Sequence, residues 1–279
     1  FSLYDTKQDY YYTLHQQGGT LTLGRRLKWP DDYFNISWTF RFQRLDVQDV
    51  GIYSYYYTTG KTSQFSLAQT IIRDSKNSPL FPNQGSTISL YNEISGAPIL
   101  PGTAQYNKHL FNAEFYMPAF NSPKFALYLS TQYGALFPFK KNSYVPPLET
   151  FGMGGTGLGQ IATTPLRGYE DRSIGPVDAS GRAIPALIMA KHTAELRFNV
   201  SLNPIPIYLL TFAEAGNVWE NLKKTDMFDL KRSFGVGARL MINPIGLLGF
   251  DYGYGYDAPT NIPGAPSGWH FHFQFGRGF

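Results

Sequence analysis

Three groups of side chains in this sequence of 279 residues have the types and spacing that chemistry requires. The first is the run FGMGGTGLGQIATTPLRGYEDRSIGP, Phe151 to Pro176, whose Gly155 to Gly159 spacing has the look of a phosphate cradle. A phosphate loop also needs a helix pattern behind it and a lysine reaching the phosphates, and neither follows. The second is His270-x-His272, two imidazoles on one face of a strand. The chain has five His and no third ligand at a telling spacing, so solvated residues are expected there and no metal. The third is a hydrolase set of Ser nucleophile, His base and orienting partner. Ser and His are present, but no G-x-S-x-G or H-x-S arrangement brings them together. Cys is absent, which removes thiolate ligands, Cys nucleophiles and disulfides at once. The expectation is no enzyme and no cofactor.

The elements that carry these residues read as strands. In WHFHFQFGRGF, Trp269, Phe271, Phe273, Phe275 and Phe279 point one way and His270, His272, Gln274, Gly276 and Gly278 the other. The same alternation runs through FNISWTFRF (Phe34 to Phe42), STISLYNEI (Ser86 to Ile94), FALYLSTQYG (Phe125 to Gly134), TAELRFNV (Thr193 to Val200), SFGVGARLMI (Ser233 to Ile242) and LGFDYGYGYD (Leu248 to Asp257). Weaker runs are Thr20 to Leu27, Phe65 to Arg73, Leu110 to Met117, Tyr208 to Ala215 and a stub at Phe1 to Thr6. That makes about twelve strands, each near the roughly 9 to 11 residues that cross a bilayer at a tilt.

Two features favour a transmembrane barrel over a soluble sandwich, which also alternates. One face of the strands is almost purely rings and aliphatics, while Arg41, Glu93, Glu195, Arg197, Arg239 and Asp251 fall on the other. Connections also alternate in length. Trp29 to Asp32, Asn121 to Pro123, Asn203 to Pro206 and Asn243 to Gly246 are tight. Asp46 to Ser63, Phe137 to Lys191, Glu220 to Leu230 and Ala258 to Ser267 are long, as in outer-membrane barrels. Arg73 to Gly85 breaks the pattern, being long where a short turn is expected.

Composition agrees. Aromatic residues make up 16% of a chain with mean hydropathy of only −0.25, and no apolar run approaches the roughly 18 to 20 residues of a membrane helix. A net charge of +4 without a polybasic stripe gives no reason to expect nucleic acid. The start at Phe1, without Met or signal-peptide regions, reads as a cut.

The order Gly154-Gly155, Leu166-Arg167-Gly168-Tyr169, Gly175-Pro176 resembles the sixth external loop of the family that includes BamA, the insertase of the β-barrel assembly machinery, and relatives in protein secretion. The long turn NSPLFPNQGSTI is similar to that family's Phe-Pro-x-x-Gly turn, and AELRF, FAEAGNVW, INPIGLLGFDYGYGYD and FHFQFGRGF are similar to its closing strands. The terminal aromatic resembles the sorting signal of bacterial outer-membrane proteins, with Arg277 placed to snorkel toward headgroups.

The resemblance implies an all-β fold: a transmembrane antiparallel barrel, of which residues 1–279 would form about the last twelve strands of sixteen. POTRA domains and the first strands would lie upstream, and a loop of about residues 137–191 would fold inward. It implies that Arg167 faces acidic residues of the two following strands, by position Glu195 and Glu214. Glu195 agrees with the alternation. Glu214 shares a parity with Leu210 and Phe212, so its inward direction rests on resemblance alone. Arg172, just outside the motif, is expected to matter little.

The implied function is folding and insertion of outer-membrane proteins in the bacterial outer membrane, with Trp269, Phe271, Phe273, Phe275 and Phe279 on a strand that is both sorting signal and lateral edge. Implied partners are outer-membrane lipid, unfolded outer-membrane protein clients and accessory subunits of the machinery, with no small-molecule substrate. The alternatives are a secretion pore of the same superfamily, of two-partner or translocation-assembly type, and a passive porin.

Overall fold

A computed structural model of the chain describes residues 1–9, 13–48, 60–140, 142–157, 163–242, 246–260 and 268–276. Twelve strands follow one another: β1 (Ser2–Asp9), β2 (Thr13–Arg26), β3 (Phe34–Gln48), β4 (Gly60–Asp74), β5 (Gly85–Ser95), β6 (Tyr106–Ala119), β7 (Ser122–Pro138), β8 (Ile188–Ser201), β9 (Ile207–Trp219), β10 (Lys231–Ile242), β11 (Gly246–Gly255) and β12 (Gly268–Gly276). They form one sheet in sequence order, and the pairings whose register is defined are antiparallel. Among the described residues the helical content is limited to 3₁₀ turns at Pro147–Glu149 and Leu222–Lys224.

Every strand anticipated from alternation is present. The weak ones are longer than expected: β2 begins at Thr13 rather than Thr20, and β9 runs to Trp219 rather than Ala215. The inward-folding loop is correspondingly shorter than residues 137–191, since β7 reaches Pro138 and β8 starts at Ile188. Phe279, Arg277 and Gly278 lie outside the described residues, as do Asn243, Pro244 and Ile245 of one tight turn.

Contacts divide the chain into two compact units. The first comprises Phe1–Arg73, Ser89–Phe111 and Gly134–Thr150. Its apolar face carries ring pairs such as Phe42 and Phe65, with centroids 4.6 Å apart. On its other face Gln43, Gln64 and Tyr106 are buried in a hydrogen-bonded chain, Gln43 donating to Gln64 at 3.2 Å and Gln64 to the Tyr106 hydroxyl at 2.6 Å.

The second unit comprises Asp74–Ile88, Asn112–Tyr133 and Phe151–Phe279. Its exposed face bears Phe234, Tyr252, Trp269, Phe271, Phe273 and Phe275. Tyr252 and Trp269 stack at 4.6 Å with planes 8° apart. Leu210 and Phe212 lie on the opposite, buried face together with Glu214, so that face of β9 is not purely polar. The parity that made Glu214 doubtful is thereby resolved: all three point the same way, Phe212 and Glu214 beneath Arg167 and Leu210 in a buried cluster with Phe81 and Tyr208.

Candidate functional site: the loop tip and its seat

Residues 139–187, between β7 and β8, hold the glycine-rich run. Gly154 (φ +122°), Gly155 (φ +66°) and Gly168 (φ +85°) take backbone conformations that side chains resist. Space forbids a side chain as well: a Cβ at Gly155 would meet the Asp171 carboxyl carbon at 2.6 Å, and one at Gly168 the Gly255 nitrogen at 2.7 Å. Free of such conflicts, the loop folds on itself. The Gly155 N–H donates to the Tyr169 carbonyl (3.0 Å), Leu166 to Gly155 (3.2 Å) and Ile174 to Met153 (3.1 Å), around fully buried Met153, Leu166 and Ile174.

The wall beneath it follows from strand register. One row across the sheet reads Glu195, Phe212, Gly235, Gly253, and the next Thr193, Glu214, Ser233, Gly255. Phe212 has glycines beside it, so its ring lies flat; a Cβ at Gly235 would fall 2.6 Å from the ring tip. The Arg167 guanidinium rests on this ring, 3.7 Å from the centroid. Gly168 then sits over Gly253 and Gly255, close enough that a Cβ at Gly253 would be 2.8 Å from the Gly168 nitrogen.

Arg167 is 4% exposed. Its Nη2 donates to Glu195 Oε1 at 2.6 Å and Glu214 Oε1 at 2.9 Å, its Nη1 to Asp251 Oδ1 at 3.4 Å, and its backbone N–H to Glu214 Oε2 at 2.9 Å. Each carboxylate is also held by a cation of the wall. Arg197 donates to Glu195 (2.7 and 2.8 Å), Lys191 Nζ is 3.1 Å from Glu214, and Arg239 bonds Asp251 in bidentate fashion (2.9 and 3.0 Å). A cavity of about 160 Å³ beside them is also lined by Glu114. Counting Asp251, which lies behind Arg167 and Arg239 rather than on the cavity, four carboxylates face four cations in this cluster, and the pairing offsets part of the cost of burying charge.

The motif's remaining residues clasp neighbouring loops. The Tyr169 hydroxyl donates to the Arg232 carbonyl (2.7 Å) and accepts from the Asp257 N–H (3.2 Å); burial pushes its pKa up to about 12. Gly175 donates its N–H to Thr260 Oγ1 at 2.9 Å, and that hydroxyl donates back to the Gly175 carbonyl at 2.8 Å. Pro176 accepts from the Ile184 N–H at 3.0 Å, closing the hairpin that follows.

One expectation is corrected. His272 is not solvated: it is buried, and its Nε2 accepts the Gly168 N–H at 2.8 Å, which places the ring proton on Nδ1. Arg172, expected to matter little, packs on the loop itself: its guanidinium carbon lies where a Cβ on Gly152 would be 2.7 Å away. The resemblance places both Glu195 and Glu214 opposite Arg167, where the structure has them, but does not point to Asp251, His272, Phe212 and Thr260 as partners of the motif. The legible signal is that Asp251 and His272 fall on the polar parity; that they stand directly opposite each other comes from the strand register.

An up-and-down antiparallel sheet with rings on one face, and a long loop bonded through a buried arginine to the other, defines a transmembrane β-barrel protein of the kind that folds a loop into its own interior. The chain belongs to the Omp85 superfamily, whose domain model matches residues 1–279; members are outer-membrane β-barrels. It is 27% identical over 224 residues to a SAM50-like protein of Schizosaccharomyces pombe, covering 78% of this chain and 44% of that one. In fold it is similar to BamA from Haemophilus ducreyi lacking POTRA domains 1–3 (TM-score 0.74, 18% identity, 96% of this chain and 56% of that one). It is also similar to CdiB from Escherichia coli (TM-score 0.58, 14% identity, 97% and 48%) and from Acinetobacter baumannii (0.56, 15%, 94% and 42%). The chain thus spans about half the length of the proteins it matches.

Proposed function

We propose that this chain is the barrel part of an insertase that folds other β-barrel proteins into an outer membrane, that of a Gram-negative bacterium, with no enzymatic step. The observation that supports this reading best is the buried Arg167 with its three carboxylates, which makes the loop part of the wall rather than a free lid. The higher fold likeness to BamA (0.74) than to the CdiB chains (0.58 and 0.56) supports the insertase over a secretion pore. The clients are unfolded outer-membrane proteins, and accessory subunits of the same machinery assist.

β12 stands last in the strand order, and its exposed rings Trp269, Phe271, Phe273 and Phe275 meet lipid. An incoming strand that pairs with its backbone satisfies N–H and C=O groups which the membrane interior otherwise leaves unbonded. Hydrogen bonding and burial drive that step, so it requires no nucleotide. The test is the full-length protein in proteoliposomes supplied with a urea-unfolded barrel client. The expected result is faster client folding, read by heat-dependent gel mobility. An unchanged folding rate combined with steady open-channel conductance would instead identify a porin, and delivery of an extended client into the vesicle a secretion pore.

A further inference from the structure

The turn between β4 and β5, residues 75–84, is rigidly built. Asn77 Oδ1 accepts the backbone N–H groups of Asn83 and Gln84 (3.2 Å each), and Ser78 Oγ those of Leu80 and Phe81 (3.3 Å each). Asn83 Nδ2 donates to the Pro123 carbonyl at 3.3 Å, which ties this turn to the tight turn between β6 and β7. Gly85, at φ +102°, closes it. The frame holds one ring inward: Phe81 is 5% exposed while its neighbour Leu80 is 42% exposed.

Phe81 meets Tyr208 edge-on, with centroids 5.6 Å apart, and forms one buried cluster with Ala126, Tyr208, Leu210 and Phe212. Phe212 is the ring beneath the Arg167 guanidinium, and Tyr208 lies 5.8 Å from the Arg197 guanidinium. Both arginines bond Glu195. The ring of a turn at one end of the strands is therefore continuous, through one buried cluster, with the floor of the loop tip.

We propose that Phe81 is a positioning residue for Arg167, and that the turn transmits force applied at its exposed side, around Leu80, to the loop tip. On the β10 side Phe212 has only Gly235 and then Gly253 beside it, so no side chain props its ring from that side. With Phe81 cut back, the ring tips into the vacated space and Arg167 loses its floor. This deepens the proposed function by taking the loop tip as its working part.

The test reads the tip directly, whatever the activity. Ser233 is buried beneath Gly168, its Cβ 3.1 Å from where a Cβ on Gly168 would stand, and the chain has no cysteine. In the full-length protein in proteoliposomes, with other cysteines replaced, Ser233→Cys is labelled with a membrane-impermeant maleimide. Arg167→Ala in the same background sets the rate for a lifted tip. Phe81→Ala should raise the rate about tenfold, Phe81→Val less, and Phe81→Leu should stay within about threefold of the parent, all with the heat-dependent gel shift retained. Parent-like labelling in a folded Phe81→Ala or Phe81→Val protein would overturn the proposal. So would loss of the gel shift in both, which would make Phe81 a requirement of the barrel and not of the tip.

Discussion

Glu195 is shared between two arginines that come from different places: its Oε1 takes Arg167 of the loop at 2.6 Å and its Oε2 takes Arg197 of its own strand at 2.8 Å. Arg197 is itself caged, 4.0 Å from the Tyr128 ring centroid and 5.7 Å from that of Tyr116. The carboxylate is thus oriented by its own strand as well as by the loop. Removing Arg167 leaves Glu195, Glu214 and Asp251 each with one wall cation, so the cost sits near the low end of the roughly 3 to 5 kcal/mol for breaking a buried pair. Arg167→Ala should lower unfolding stability by about 3 kcal/mol, read by denaturant-dependent gel mobility. Arg167→Lys should recover only part of this, since an ammonium cannot reproduce the planar fork. Equal stability of Arg167→Ala and the parent would show that the pair is solvent-screened.

His272→Gln keeps an acceptor near the Gly168 N–H, whereas His272→Phe strands that donor in a dry site. The expected loss is about 1 to 3 kcal/mol for Phe and less for Gln. Hydrogen exchange of the Gly168 amide is the direct readout, fast in the Phe variant and slow in the parent. Slow exchange in both would place the bond's protection elsewhere.

Gly255→Ala puts a Cβ 3.0 Å from the Tyr169 ring and closer still to the Gly168 carbonyl oxygen, so the tip must lift. Gly268→Ala on β12 meets nothing within 4 Å and serves as the control. Slower client folding in the first and parent-like rates in the second are expected. Loss in both would point to strand flexibility, not to loop seating.

The root of the loop has an anchor of opposite sign. Glu149 bonds Lys108 Nζ at 2.9 Å and Arg41 Nη1 at 3.2 Å. Burial alone would raise the Glu149 pKa, but Lys108 and Arg41 outweigh it and hold the carboxyl below its usual range. A lowered folded pKa means the contribution is complete above the ordinary carboxylate range and is lost as pH falls through the lowered value. Hydrogen exchange across residues 147–153, corrected for intrinsic pH dependence, should therefore stay protected at neutral pH and loosen only in strong acid. Lys108→Met should move that loosening to higher pH; an unmoved profile would remove Lys108 from the anchor.

Alternation and connection length carry the twelve strands, because face assignment in a strand is a local property of period two. The ring face and the placement of Glu195 and Arg197 on the opposite face follow from the same rule. Glu214 did not yield to it, since Leu210 and Phe212 share its parity; a buried ring and a buried carboxylate suit one face only when a loop covers both. Asp251 and His272 were legible as inward residues but not as partners of Arg167 and Gly168, because partnership depends on register across β8 to β12 and on where the loop descends. The long turn at Phe81 stands out in the sequence by its length and by its Phe-Pro-x-x-Gly pattern. That its ring joins Phe212 in one buried cluster is a product of tertiary packing, in which residues more than a hundred positions apart compete for one volume, and no local pattern encodes which of them fills it.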